Sequence, residues 1–187
     1  MELSAEPRPA PAPPAKPPDP PQPPDHVEPL EPRAHAWLIP ARLAVAERPG
    51  GGGRSHRRAR RAREIAWWQA QGVTAVVSGM RSRHGLDHYA AAGWAVRWHP
   101  LGEPAQAVGE LPRLLAAVEG LLSERPGAVL VHCDRPWEML AAVDAALRLH
   151  LGLARDRHRA FEDARADGLP VGSLASSLVG TCVPVAA

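Results

Sequence analysis

Apolar residues in this chain fall into short continuous blocks that alternate with longer amphipathic stretches. Val73-Thr74-Ala75-Val76-Val77 and Ala128–His132 are near-continuous apolar runs, interrupted only by Thr74 and ended by His132, and read as buried strands. Trp94–Trp98 reads as another strand. Trp37-Leu38-Ile39 and Arg42-Leu43-Ala44-Val45 form two extended pieces around the turn at Pro40. Between these blocks the spacing becomes helical. One helix is predicted from Ser55 as N-cap to Gln71, burying Ile65 and Trp68, with Gly72 as its stop. A short helix is expected from Leu86 to Ala92, closed by Gly93. A third carries Pro112 in its first turn and reaches about Glu124. A fourth, from Pro136 to Leu151, buries Leu140, Val143 and Leu147, and two short helices follow between Arg155 and Leu178. Strand–helix alternation of this kind implies a three-layer α/β/α domain with a mostly parallel central sheet. Ligands of such sheets bind at the carboxyl ends of the strands.

Composition sets the limits of that domain. Of 187 residues, 22 are proline. They crowd residues 1–35, where large apolar side chains are nearly absent, so this tail reads as disordered with polyproline II character. It is a solvated extension or a ligand for a partner module that grips proline-rich segments. Residues 36–180 supply enough apolar material for a core, and 181–187 read as a C-terminal tail. No window reaches the apolar length of a bilayer span, so no membrane role is expected. The chain begins without a basic, then apolar, leader, and its two cysteines are too few for a disulfide framework; a cytoplasmic location is expected. A net charge of +2 does not point to nucleic acid. The basic run Arg54–Arg63 could contact an acidic partner or remain a solvated helix start. His84 and His88 are four apart with Gly85 between them, a poor metal pair, and no metal is expected.

The chemistry concentrates where the strand ending in His132-Cys133 meets the helix that follows Asp134-Arg135-Pro136. Free N–H groups and the helix dipole at such a junction favour anions, and a thiol there ionises more readily than free cysteine. The alternative reading of Cys133 is a small buried residue at a strand end.

These residues resemble the cysteine-dependent dual-specificity and tyrosine phosphatase superfamily, whose signature is His-Cys, five residues, Arg, then Ser or Thr. His132-Cys133, the strand before them, Trp37–Ala44, Gly72–Ser78 and Trp98–Glu103 are similar to family segments and span most of residues 36–155. The resemblance implies a dual-specificity phosphatase-like fold with Cys133 as nucleophile and Glu103 as general acid. It implies a phosphate loop of His132, Asp134, Arg135, Pro136, Trp137, Glu138 and Met139, with no cofactor, and a phosphorylated small molecule or phosphoprotein as ligand. Glu103 also reads as an exposed loop carboxylate.

The loop departs from the family at three points. Met139 stands where the family has its arginine and supplies no donor for phosphate oxygens. Loss of such a stabiliser typically costs about 10²–10³ in rate. Leu140 stands in place of a hydroxyl, and Pro136 removes one loop N–H. Arg135 is a second loop arginine whose side chain is expected to point outward. The sequence therefore predicts a phosphatase-like domain with a degenerate loop, weak or inactive, in a binding or regulatory role. The alternatives are an active cysteine phosphatase working through a Cys133 phospho-enzyme, and an electrostatic binding protein using the Arg54–Arg63 helix.

Overall fold

The computed structural model describes residues 27–51, 57–134 and 137–183. In chain order the elements are β1 (His35–Ile39), β2 (Leu43–Glu47), α1 (Arg57–Ala70), β3 (Val73–Ser78), α2 (Asp87–Ala91) and β4 (Ala95–Trp98). They continue with α3 (Pro104–Glu124), β5 (Ala128–Cys133), α4 (Trp137–His150), α5 (Arg157–Ala166) and α6 (Ser173–Cys182). The strands form one sheet in the order β1-β2-β5-β3-β4. Only the β1–β2 hairpin is antiparallel; β2–β5, β5–β3 and β3–β4 are parallel. This is the three-layer α/β arrangement the alternating pattern implied.

Two-residue periodicity divides the sheet between two cores. Leu43, Val45, Ala75, Val77, Val129, Val131 and Cys133 pack in the larger core with α3, α4 and α6. Ala44, Ala46, Val76 and Leu130 face the smaller one, with Trp68 of α1 and Tyr89 of α2. The continuous aliphatic runs are the strands covered on both faces. Gly72 and Gly93 close α1 and α2 at φ 80° and 81°, a left-handed conformation in which other residues are strained.

The third helix differs from the sequence expectation. It starts at Pro104, with Glu103 as N-cap, and Pro112 lies inside it. A proline there removes the N–H that would bond the carbonyl four residues earlier. That carbonyl belongs to Val108, and it accepts the Cys182 thiol from α6 at 3.6 Å. Tertiary contact thus serves the carbonyl that local sequence leaves over. Arg42, in the β1–β2 turn, ties the end of α3 to the sheet: its guanidinium donates to the carbonyl of Leu122 in the last turn of α3 (2.6 Å) and to those of Arg125 and Gly127 between α3 and β5.

The dense basic run is partly neutralised within the fold. Arg60 pairs with buried Glu64 at 2.6 Å, and Glu64 also accepts the Gly50 N–H, tying the β2–α1 loop to the helix. Arg63 pairs with Glu28 at 3.2 Å. Residues 52–56, which include the first part of the run, lie outside the described residues, as do residues 1–26 of the proline-rich tail and 184–187.

Candidate active site

The last residue of the central strand β5 is Cys133, and α4 opens four residues later. In the sheet register Cys133 lies beside Glu47 of β2, and His132 beside Ser78 of β3. Past Ser78 the chain continues against β5, with the Gly79 N–H donating to the His132 carbonyl at 2.8 Å. This brings Gly79 onto the cysteine. A Cβ built there would stand 2.8 Å from Cys133 Sγ and 3.2 Å from Leu101 Cδ1, so the sulfur fills the space a larger residue at 79 would need. Cys133 is 2 % exposed and Leu101 4 %. Burial, reinforced by the negative charge of Asp134, pushes the Cys133 thiol up to about 12. A buried thiol of this kind behaves as a small hydrophobe and is a neutral, poor nucleophile at physiological pH.

His132 points to the opposite face because neighbouring strand residues alternate. It is fully buried, and among the described residues neither ring nitrogen has a hydrogen-bond partner. Its ring lies 5.3 Å from that of Tyr89, which stacks on Trp94. Burial, with a smaller effect from Arg48, lowers the His132 pKa to about 3, so the imidazole is neutral at any ordinary pH. Burial likewise keeps the Tyr89 hydroxyl protonated.

Around this pair the other candidate residues take separate positions. Asp134 is half-buried and pairs with Arg48, its Oδ1 3.4 Å from Nε. Arg48 directly follows β2 and was not singled out from sequence; only the β2–β5 pairing brings it to the loop. Arg135 and Pro136 lie outside the described residues, as does the Trp137 side chain. Glu138, in the first turn of α4, presses its carboxylate against Gly172 at the start of α6, where a Cβ would overlap it. Met139 and Leu140 are core residues, 4 % and 2 % exposed. The position where an oxyanion-gripping arginine is expected is thus occupied by an apolar side chain packed inward.

Glu103 is the N-cap residue of α3, although its side chain does not cap the helix. The carboxylate is 73 % exposed and bonds Arg81 Nη2 at 2.7 Å. Arg81, just past β3, also reaches the Gly102 carbonyl. The side chain of this segment that reaches the sulfur's surroundings is Leu101, not Glu103. Among the described residues no group of three or more His, Cys, Asp or Glu is placed to hold a metal ion. No helix of the described residues is long and apolar enough to cross a membrane.

Comparison with known proteins locates the fold. No family model matches the sequence, and no curated protein matches it. Solved structures do. The active form of Tk-PTP superposes with a TM-score of 0.60 at 18 % identity, covering 79 % of this chain and 95 % of that one. Human DUSP28 gives 0.59 at 23 % identity, covering 82 % and 94 %. TpbA from P. aeruginosa, as a Cys-to-Ser variant in complex with phosphotyrosine, gives 0.58 at 20 % identity, covering 74 % and 78 %. The chain has the fold of the dual-specificity and tyrosine phosphatases.

Proposed function

We propose that this protein is a phosphatase-fold binding or regulatory module, with a phosphorylated small molecule or phosphoprotein as its ligand, that turns over phosphate monoesters weakly or not at all. Its working unit, in the cytoplasm, is the domain expected over residues 36–180, extended at its two ends by His35 of β1 and by Thr181 and Cys182 of α6. The observation that carries this reading is the state of Cys133: buried, neutral, and close against Gly79, with Leu101 beside the same glycine.

The chemistry of a cysteine phosphatase makes the deficit explicit. A thiolate must attack phosphorus, forming an S–P bond as the P–O bond to the alcohol breaks. An acid must protonate the departing oxygen, and donors must hold the other phosphoryl oxygens. Here burial opposes thiolate formation, Met139 offers no donor, and Glu103 is turned to Arg81. Among the described residues, what remains for an anion is the amino end of α4, a helix of 14 residues that opens at Trp137.

The active reading has one observation in its favour: Cys133 ends the central parallel strand directly before a helix, the position from which such a sheet presents a nucleophile. Aryl phosphate hydrolysis, measured beside thermal unfolding in phosphate, separates the two. The binding module shows no phosphate release above a Cys133→Ser control, together with a rise in Tm with phosphate or a phosphopeptide. Release that disappears in Cys133→Ser overturns the reading. So does the absence of any anion effect on Tm.

A further inference from the structure

A surface hollow lies at the β4 edge of the same sheet. Leu86, Asp87 and Ala90 on and before α2 face Val96, Arg97, Trp98 and His99 across an open hollow of about 510 Å³, with Arg83 on its rim. None of these residues belongs to β5 or α4, so the hollow is distinct from the surroundings of Cys133. Its volume falls in the range of ligand sites, about 300–1,000 Å³.

Two features give the hollow a chemical preference. The Arg83 guanidinium lies over the Trp98 ring, 4.7 Å from the centroid. A guanidinium held over a ring by its charge can still offer its N–H donors to a carboxylate, and among the described residues Arg83 has no hydrogen-bond acceptor. The indole is itself held by its N–H, which donates to the Met80 carbonyl at 2.9 Å. Arg97, exposed, makes a single long contact of 3.4 Å to the Val96 carbonyl. Neither arginine has a carboxylate partner among the described residues, whereas Arg48, Arg60, Arg63 and Arg81 each have one. The imidazole of His99 is engaged with Glu110 at 3.5 Å.

We infer that this hollow binds an acidic peptide segment of a partner protein: the Leu86–Ala90–Val96–Trp98 surface receives an apolar side chain, and Arg83 and Arg97 grip flanking carboxylates. A peptide fits better than a nucleic acid. A phosphodiester backbone carries a charge at every unit and would have to pass Asp87, whereas a peptide can set a neutral residue there; Arg83 covers a face of the indole on which a base would stack, while Leu86, Ala90 and Val96 are left for an apolar side chain.

The test uses the full chain and a fluorescein-labelled nonapeptide of Glu and Asp around a central Leu. Its Gln/Asn counterpart and a labelled oligothymidylate serve as competitors, read by anisotropy. The acidic peptide binds at least about ten-fold more tightly than the neutral one, and Arg83→Gln with Arg97→Gln removes that margin. Ala90→Glu, which sets a negative charge on the hollow's wall, weakens binding likewise, whereas Arg155→Gln, an exposed arginine elsewhere, leaves it unchanged. Equal affinity for acidic and neutral peptides overturns the inference. So do no binding, insensitivity to the double variant, or tighter binding of the oligonucleotide through the same arginines.

Discussion

Enlarging Gly79 tests the position of the Cys133 sulfur. The backbone at Gly79 is not in the left-handed region, so Gly79→Ala introduces no backbone strain, only a methyl. That methyl would meet Sγ at 2.8 Å and Leu101 Cδ1 at 3.2 Å, where unstrained contacts between carbon atoms are about 3.5–4.0 Å. The leucine methyl ends a side chain that can rotate slightly; the sulfur is two bonds from the Cα of buried Cys133, at the end of the central strand β5. Overpacking at such a site costs about 1–3 kcal/mol. For a chain of this size that is a Tm lowered by about 2–12 °C. Cys133→Ala removes the sulfur at a cost of about 1 kcal/mol, roughly that of one buried methylene. In the double variant the new methyl occupies the vacated space. Its stability therefore exceeds the sum of the single effects by about 1–2 kcal/mol. Urea unfolding of the four proteins, followed by circular dichroism, measures this coupling. A neutral Gly79→Ala, or strictly additive effects, would refute the packing of the thiol against Gly79.

Two buried titrations act against each other in acid. His132, lowered to about 3 from 6.5, binds its proton more readily when unfolded; its neutral burial therefore makes stability rise with pH from about 3 to about 6.5, by about 1.4 kcal/mol per unit. Asp144 has the opposite sign. Burial outweighs its bond to Arg148 and raises it from 3.8 to about 6, so the unfolded chain loses that proton first and stability falls between about 4 and 6. The wild type is accordingly nearly flat across that window, His132→Leu shows stability falling with pH, and Asp144→Asn shows it rising; equal slopes in all three proteins contradict both assignments. Met139→Arg buries a guanidinium where the core holds a thioether, and is expected to lose on the order of 3–5 kcal/mol in urea unfolding without gaining aryl phosphate hydrolysis. A stable variant that acquires turnover would show that residue 139 can reach the phosphate position.

Much of the architecture was readable because each strand is a short aliphatic run and each helix a longer amphipathic one. Gly72 and Gly93 marked helix ends by the φ they permit. The start of α3 was not readable. Pro112 looks like a first-turn residue; inside α3 it is flanked by Leu111, Leu114 and Leu115 packed in the core, and the Val108 carbonyl it leaves over accepts a thiol 70 residues later in the chain. The candidate site was legible as a place but less so as a state. His132-Cys133 stood out as a strand-to-helix junction, and alternation sets the imidazole and the sulfur on opposite faces, but it could not show that both faces would be closed over by core. Arg48 beside Asp134, and Arg81 beside Glu103, depend on which strands neighbour one another, and no local pattern encodes that.

Thiol alkylation at neutral pH tests the central claim most directly. The full chain is exposed to iodoacetamide at pH 7, with and without phosphate, and the two cysteines are followed by mass spectrometry. Cys182, half-buried at the end of α6, is the internal comparison. A Cys133 held neutral and enclosed stays unmodified while Cys182 reacts, and phosphate changes neither rate. Rapid modification of Cys133 ahead of Cys182, slowed by phosphate, would reveal an accessible thiolate in a working anion site and contradict the account.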